Sequence, residues 1–289
     1  MRRLLIIGCG DIALRTIPLL TKGYSVYGLV RNPANCVKLR AMGVIPILGD
    51  LDDRHSLVRI TGLADAVLNL APPPSEGSDD PRTRNLLSTL SRGALPKRFI
   101  YISTSGVYGD RGGAWVSETH PLKAKNARAL RRVDAENQIR KWAKRNGVRA
   151  SILRVPGIYA EDRLPLKRIQ QGTPGIVADQ DSYTNHIHAD DLARIIVAAL
   201  LRGRPCRVYH TSDDSQLKMG EYFDSVADAF GLQRVARVSR AEAQRVLPQV
   251  MLSFMNESRR LDNRRMKQEL KVKLRYPSVR DLLATIKQV

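Results

Sequence analysis

Short runs of Val, Ile and Leu alternate along the chain with stretches whose apolar residues recur every three to four positions. The apolar runs are RLLIIG (3–8), YSVYGLV (24–30), VIPILGD (44–50), DAVLNLA (65–71), KRFIYIST (97–104) and VRASILR (148–154). Helical patterns follow them: a stretch from Asp11, PANCVKLRAMG, DRHSLVRITG, TRNLLSTLSRG, and one long segment over 122–146. Nearly continuous apolar runs mark strands buried on both faces, the signature of a parallel sheet. Strand–helix alternation repeated in this way predicts an α/β fold with a doubly wound sheet.

After residue 155 the pattern loosens. A loop with a short helix gives way to LARIIVAALLRG (192–203), a clear helix, and CRVYH, a further strand; from about 211 helices dominate. The expected organisation is a Rossmann-type domain over 1–155, completed by about 180–210. Segments 156–179 and 211–289 would form a smaller, mainly helical lobe that carries the substrate.

Composition narrows the function classes. With 289 residues, of which 43% are hydrophobic, the chain is long enough for a large core. No stretch approaches the roughly 20 apolar residues a membrane span needs. The start, MRRLLIIGCGDIALR, is basic and then apolar, but it lacks a small-residue cleavage site and breaks at GCGD, so it reads as a buried first strand. Cys9, Cys36 and Cys206 are sparse and have no metal spacing. That usage fits a reducing, cytoplasmic setting without a disulfide framework. The net charge is +20 and the pI about 10.4. Such a balance favours anionic partners in general. The densest basic run is ESRRLDNRRMKQELKVKLR (257–275). No DNA- or RNA-binding signature accompanies it, and aromatic residues are only 5%, too few for stacking platforms. A solvated basic face is expected there rather than a nucleic-acid site.

The first strand runs into LLIIGCGDIA, which has the form G-x-G-x-x-A. Gly8 suits a tight turn, Gly10 lets backbone approach a pyrophosphate, and Ala13 lets the helix pack closely on the strand. A diphosphate would lie on the N–H groups opening the helix, around Asp11 and Ile12. The second strand ends in Arg31, about 20 residues on, where NAD-binding units usually carry a carboxylate. A guanidinium there suits a 2′-phosphate. NADP is therefore favoured over NAD, although Arg31 could also be a strand-end arginine in a basic protein. Asp50, closing the third strand, could meet the adenine or simply cap the next helix.

With these residues in place, the chain resembles the short-chain dehydrogenase/reductase superfamily, in its atypical extended form of NAD(P)-dependent epimerases and dehydratases. YISTSGVYGD resembles the segment carrying the active-site hydroxyl. LRVPGIYAEDR, NHIHADDLARIIVAAL, RRLDNRRMKQEL and YPSVRDLLATI resemble later segments of the family, in the family's order. The resemblance covers nearly the whole chain. It implies a small-molecule substrate, an oxidoreductase, epimerase or dehydratase chemistry, and pairing of two copies through helices that include the long one. It also implies roles: Leu70 and Ala71 beside the cofactor ribose, Thr104 as the active-site hydroxyl, Pro156 and Ile158 near the nicotinamide. Thr104 could alternatively just end its strand.

The resemblance fails at one place. The family carries Tyr and, four residues later, Lys on the long helix. After Pro121 this chain places Arg128 and Arg132 in those slots, followed by Glu136. Arg132 can still donate to ribose hydroxyls, but a guanidinium cannot exchange protons near neutral pH, so Arg128 cannot replace a phenol. Tyr108, Tyr159, Tyr183, His186 and His188 are the other groups that could move a proton, and no spacing selects among them. Helical periodicity groups Arg128 and Arg132 with Ala135, Ile139, Trp142 and Ala143 on an inward face. Arginines there need an anion or hydrogen-bonding partner, unless the first turns overhang solvent. A non-catalytic NADP-binding regulator is the alternative to an enzyme.

Overall fold

The computed structural model describes residues 2–286. Five strands come first: β1 (Arg2–Ile7), β2 (Tyr24–Val30), β3 (Ile45–Leu48), β4 (Ala66–Asn69) and β5 (Arg98–Thr104). A two-residue β6 (Trp115–Val116) precedes β7 (Arg149–Val155). Short β8 (Gly157–Tyr159), β9 (Gly175–Ile176) and β10 (His186–His188) lead to β11 (Arg207–His210), and β12 (Arg237–Val238) and β13 (Arg260–Leu261) follow. The main sheet has seven strands in the order β3-β2-β1-β4-β5-β7-β11, all parallel.

The helices are α1 (Asp11–Thr16), α2 (Asn35–Ala41), α3 (Pro81–Leu90), α4 (Ala127–Asn146), α5 (Leu166–Gln170), α6 (Ala189–Arg202), α7 (Met219–Ala229), α8 (Arg240–Val246), α9 (Gln249–Met255), α10 (Arg264–Leu270) and α11 (Val279–Ile286). Among the described residues, no helix is long and apolar enough to cross a membrane.

The strands are buried on both faces because successive side chains point to opposite sides. Leu4 and Ile6 join a core under α1, α2 and α6, whereas Leu5 and Ile7 join a second core under α3 and α4. This explains the continuous apolar runs. DRHSLVRITG, whose pattern predicts a helix, forms a 3-10 helix over Arg54–Ile60; the Asp53 carboxylate opens it by accepting from the His55 N–H. The long helix starts later than its pattern predicts. Residues 121–126 stay outside it, and the Lys123 N–H bonds instead to Val107 O. Asn126 then caps α4, and Gly147, in the left-handed region at φ 65°, ends it.

The strand order reverses between β1 and β4, so a crevice opens beyond their C-terminal ends. A third apolar cluster, built on Tyr159, Ile169, Phe223, Val226 and Leu282, supports the second lobe beside that crevice. Not all of 211–289 belongs to that lobe. Met266, Leu270 and Leu274 pack into the α6 side of the sheet. Several cations of the basic run holding them have carboxylate partners: Lys267 pairs with Asp214, Arg265 with Glu118, and Arg259 with Glu257. It is less a solvated basic face than the sequence suggests.

Candidate active site

Gly8 sits at the strand-order reversal. Its φ is +86°, and a Cβ added there would lie 2.6 Å from the amide nitrogen of Ala71. Only glycine fits this approach of the β1–α1 turn to the end of β4. A Cβ at Gly10 would meet open space, so backbone there is open to a ligand. Gly10 opens α1 without any side-chain cap, leaving the first N–H groups for an anion. A groove of about 400 Å³ lies over this turn, lined by Gly8, Gly10, Asp11, Ile12, Arg31 and Leu70 among others. The Asp11 carboxylate faces two cations: it accepts from Arg15 at 3.2 Å and pairs with Arg163 at 3.2 Å. Its charge is thus offset where a diphosphate would lie.

A second hollow, of about 250 Å³, continues from this groove and is lined by Arg31, Asp50, Leu51, Ala71 and Arg82. Asp50 accepts the Asp52 N–H in a local turn; the cap of the 3-10 helix itself is Asp53. Arg31 is exposed at the lip, near Asp52, whose carboxylate is already held by Arg82 at 2.7 and 2.5 Å.

The larger cleft, about 690 Å³, lies between the sheet and the second lobe, and it takes in Thr104, Arg128, Arg132 and Pro156. Pro72 lines all three hollows, so they lie side by side around it. Ile158 instead packs against the core. Thr104 ends β5, and its Oγ1 accepts the Gly106 N–H at 3.1 Å. That turn uses a lone pair, so the hydroxyl proton is left to donate.

The two arginines of α4 differ. Arg132 turns inward, and its Nη1 donates to Tyr101 OH at 2.9 Å and to Ile102 O at 2.7 Å, tying the helix to β5. Arg128 lies in the first turn, which overhangs the cleft mouth, and it is exposed. The inward position is held by Arg131, only 6% exposed, whose Nη1 donates to Gly77 O at 2.6 Å. Arg131 precedes Ala135 by four residues, so the stripe on Ala135, Ile139 and Trp142 already pointed to it. Arg168 on α5, Glu257 and Arg259 also line the cleft; nothing in the local sequence pattern marks them, because they arrive from distant segments. Asn126 connects them to α4: its Oδ1 caps the helix while its Nδ2 donates to Glu257 at 3.1 Å.

The remaining proton carriers separate clearly. His188 is fully buried, and its Nδ1 accepts the Asp190 N–H at the start of α6. His186 lines the cleft, stacked on Tyr222 at 4.2 Å, and burial pulls its pKa down to about 4. Tyr159 is buried, and its pKa is raised by that burial. Tyr108 lies in an internal network. Its hydroxyl accepts from Arg154 at 2.5 Å and donates to His210 Nε2 at 2.6 Å. The direction follows from His210 Nδ1, which lies 2.9 Å from the Asp262 carbonyl and must donate to it. Burial raises the Tyr108 phenol to about 12. Tyr183 is half-buried at the cleft edge, between the charges of Lys218 and Arg260.

Comparison with known proteins agrees with this architecture. A ketoreductase of Stigmatella aurantiaca acting on a 4-farnesyl-dihydroquinoline-1-oxide is 33% identical over 112 residues, covering 36% of this chain and 34% of that protein. The chain thus matches about a third of that relative's length. The structure of a conserved protein of Silicibacter pomeroyi aligns at a TM-score of 0.83 with 30% identity, covering 100% of this chain and 99% of that one. The dTDP-glucose 4,6-dehydratase of Streptomyces venezuelae, solved with NAD bound, aligns at 0.78 with 21% identity over 99% and 96% of the two chains, a likeness of fold. The family model for NAD dependent epimerases and dehydratases matches residues 16–210, beginning just after the glycine turn. With two thirds of its length inside that model and the strand-order reversal placed at Gly8, the chain belongs to the NAD-dependent epimerase/dehydratase family.

Proposed function

We propose that the protein is a dinucleotide-dependent oxidoreductase of the epimerase/dehydratase kind, using NADP in preference to NAD, on a small organic substrate. One observation carries this reading: three hollows that share Pro72 as a wall are lined in turn by Asp50, by the glycine turn and by Thr104. A dinucleotide laid across the strand ends, with a substrate at its nicotinamide end, would follow that course. Backbone at Gly8, Gly10, Asp11 and Ile12 would receive the diphosphate. Arg31 would hold a ribose 2′-phosphate, Asp50 would face the adenine, Leu70 and Ala71 would flank the ribose, and Pro156 would lie by the nicotinamide. A nicotinamide held there would supply hydride transfer to or from a substrate carbon. Thr104 would polarise the substrate oxygen by donating a hydrogen bond from its hydroxyl, and Arg132, anchored on Tyr101, would offer its remaining N–H groups to the cofactor ribose. Fluorescence titration with NADPH and NADH tests this. NADPH is expected to bind at least tenfold more tightly. Failure of both overturns the reading, and tighter NADH overturns the role of Arg31 alone.

The state of the phenols favours a second reading, an NADP-binding regulator without turnover. Tyr108 is locked between Arg154 and His210, Tyr159 is buried, and neither lines the cleft, which leaves Tyr183 at its edge, beside Lys218 and Arg260. NADPH consumption with any carbonyl or nucleotide-sugar substrate decides against it.

A further inference from the structure

The substrate cleft has an unusual charge balance. Five guanidiniums line it (Arg128, Arg131, Arg132, Arg168, Arg259) against one carboxylate, Glu257, a net of four positive charges. Among the described residues, Arg131, Arg132 and Arg168 have no carboxylate within 4 Å, whereas other arginines, such as Arg154 and Arg207, do. Burying a cation without a counterion is costly. Arg168 is half-buried, lies 4.3 Å over the Phe223 ring, and among the described residues bonds only to Pro174 O and the Met255 sulfur. The Nε atoms of Arg131, Arg168 and Arg259, and Nδ1 of His186, are buried without a hydrogen-bond partner among the described residues. All four residues line this cleft.

Two neutral amides of the wall are, by contrast, already engaged. Asn126 uses both amide ends, on Ala129 N–H and on Glu257. Asn185 uses both as well, accepting from Leu261 N–H and donating to Arg259 O, each at 2.9 Å. A sugar presents hydroxyls that need neutral donors and acceptors, and these two residues have little left to give. The wall also carries the apolar side chains of Met219, Phe223, Met251 and Met255.

We infer that the substrate is an apolar acid: a molecule with two or more negative charges, as phosphate or carboxylates, on an apolar body, and not a nucleotide-linked sugar. The anion lies among the unpaired guanidiniums, the apolar body against the methionines and Phe223, and the reacting carbon toward Thr104. This rests on the cleft being the substrate end of a dinucleotide enzyme.

The test uses the full chain saturated with NADP, which blocks the diphosphate site, and calorimetric titration with 1-naphthyl phosphate, inorganic phosphate and UDP-glucose. 1-Naphthyl phosphate is expected to bind at least tenfold more tightly than either other probe. Arg168→Gln, and Arg128→Gln at the exposed lip where folding is not at risk, should each weaken it at least fivefold with NADPH affinity unchanged. Tighter binding of UDP-glucose, equal binding of inorganic phosphate, or unaltered 1-naphthyl phosphate affinity in both variants overturns the inference. If the wild type binds no NADPH, the dinucleotide reading falls by itself, and the same three probes without NADP still decide the chemistry of the cleft.

Discussion

Gly8 and Ala71 approach so closely that a Cβ on Gly8 would lie 2.6 Å from the Ala71 amide nitrogen and 2.7 Å from its Cα. The contact joins the turn after β1 to the chain leaving β4, at the place where the strand order reverses. Gly8→Ala adds a methyl at this contact and at a φ of +86°. We expect a loss of about 1–3 kcal/mol in urea unfolding, with NADPH affinity reduced more than tenfold. Unchanged NADPH binding by Gly8→Ala would show that the turn does not hold the cofactor.

Arg31 tests cofactor choice separately. Charge-assisted hydrogen bonds contribute about 1.5–3 kcal/mol, so Arg31→Ala should weaken NADPH by about ten- to a hundredfold and leave NADH within twofold. Equal weakening of both would place Arg31 outside the 2′-phosphate site.

Thr104→Val removes the hydroxyl and keeps the shape. The expected result is a fall in kcat of about tenfold or more at unchanged NADPH affinity, with Thr104→Ser near wild type. If Thr104→Val loses stability but not kcat, the hydroxyl serves only the turn to Gly106.

Arg132 has two candidate duties that one variant separates. Its bonds to Tyr101 and Ile102 predict that Arg132→Ala costs about 1–3 kcal/mol of stability, read by urea unfolding. NADPH affinity should fall as well. If only stability falls, the helix anchor is the whole role.

Glu136 and Arg154 form a buried pair, 2.7 Å apart, with Ser103 and Arg140 completing the carboxylate's partners. Burial by itself would raise the Glu136 carboxyl, but the hydrogen bonds and charge of Arg154 more than offset it and hold the pKa below its usual value. Glu136→Leu strands Arg154 without its partner and should cost about 3–5 kcal/mol. The double variant Glu136→Leu, Arg154→Leu should cost less than the sum of the two single variants. Additive losses would mean the pair is not coupled.

His210 gives a pH signature. Burial, with Arg154 nearby, brings its pKa from 6.5 to about 3. The unfolded chain therefore binds the proton first, so stability contributed by neutral His210 is present above pH 6.5 and is lost progressively as pH falls toward 3. Between pH 7.5 and pH 5 this amounts to about 2 kcal/mol. His210→Gln should lack that loss, so its stability deficit relative to wild type should shrink by about that amount at pH 5. A deficit independent of pH would show that His210 titrates normally.

Much of the fold was legible because strand burial is a local property. Each strand places neighbouring residues on opposite faces, and both faces here are covered, so continuous apolar runs were unambiguous. The glycine turn was legible for a similar reason: Gly8 needs a backbone that only glycine adopts. α4 was less so. Periodicity gave an inward face but not which arginine entered it, since the first turn of a helix extends past the core edge. Arg128 therefore lies at the rim, while Arg131 and Arg132 are held inside.

The cleft itself was not legible. Arg168, Glu257 and Arg259 lie 22 to 113 residues beyond the end of α4 at Asn146, and no local spacing links them. By itself the sequence determined the layered sheet and the glycine turn at its switch point, because these depend on local backbone and side-chain alternation. Only the tertiary structure decided which arginines share a cleft, which have counterions and which phenols are locked, because charge balance depends on neighbours that folding brings from far along the chain.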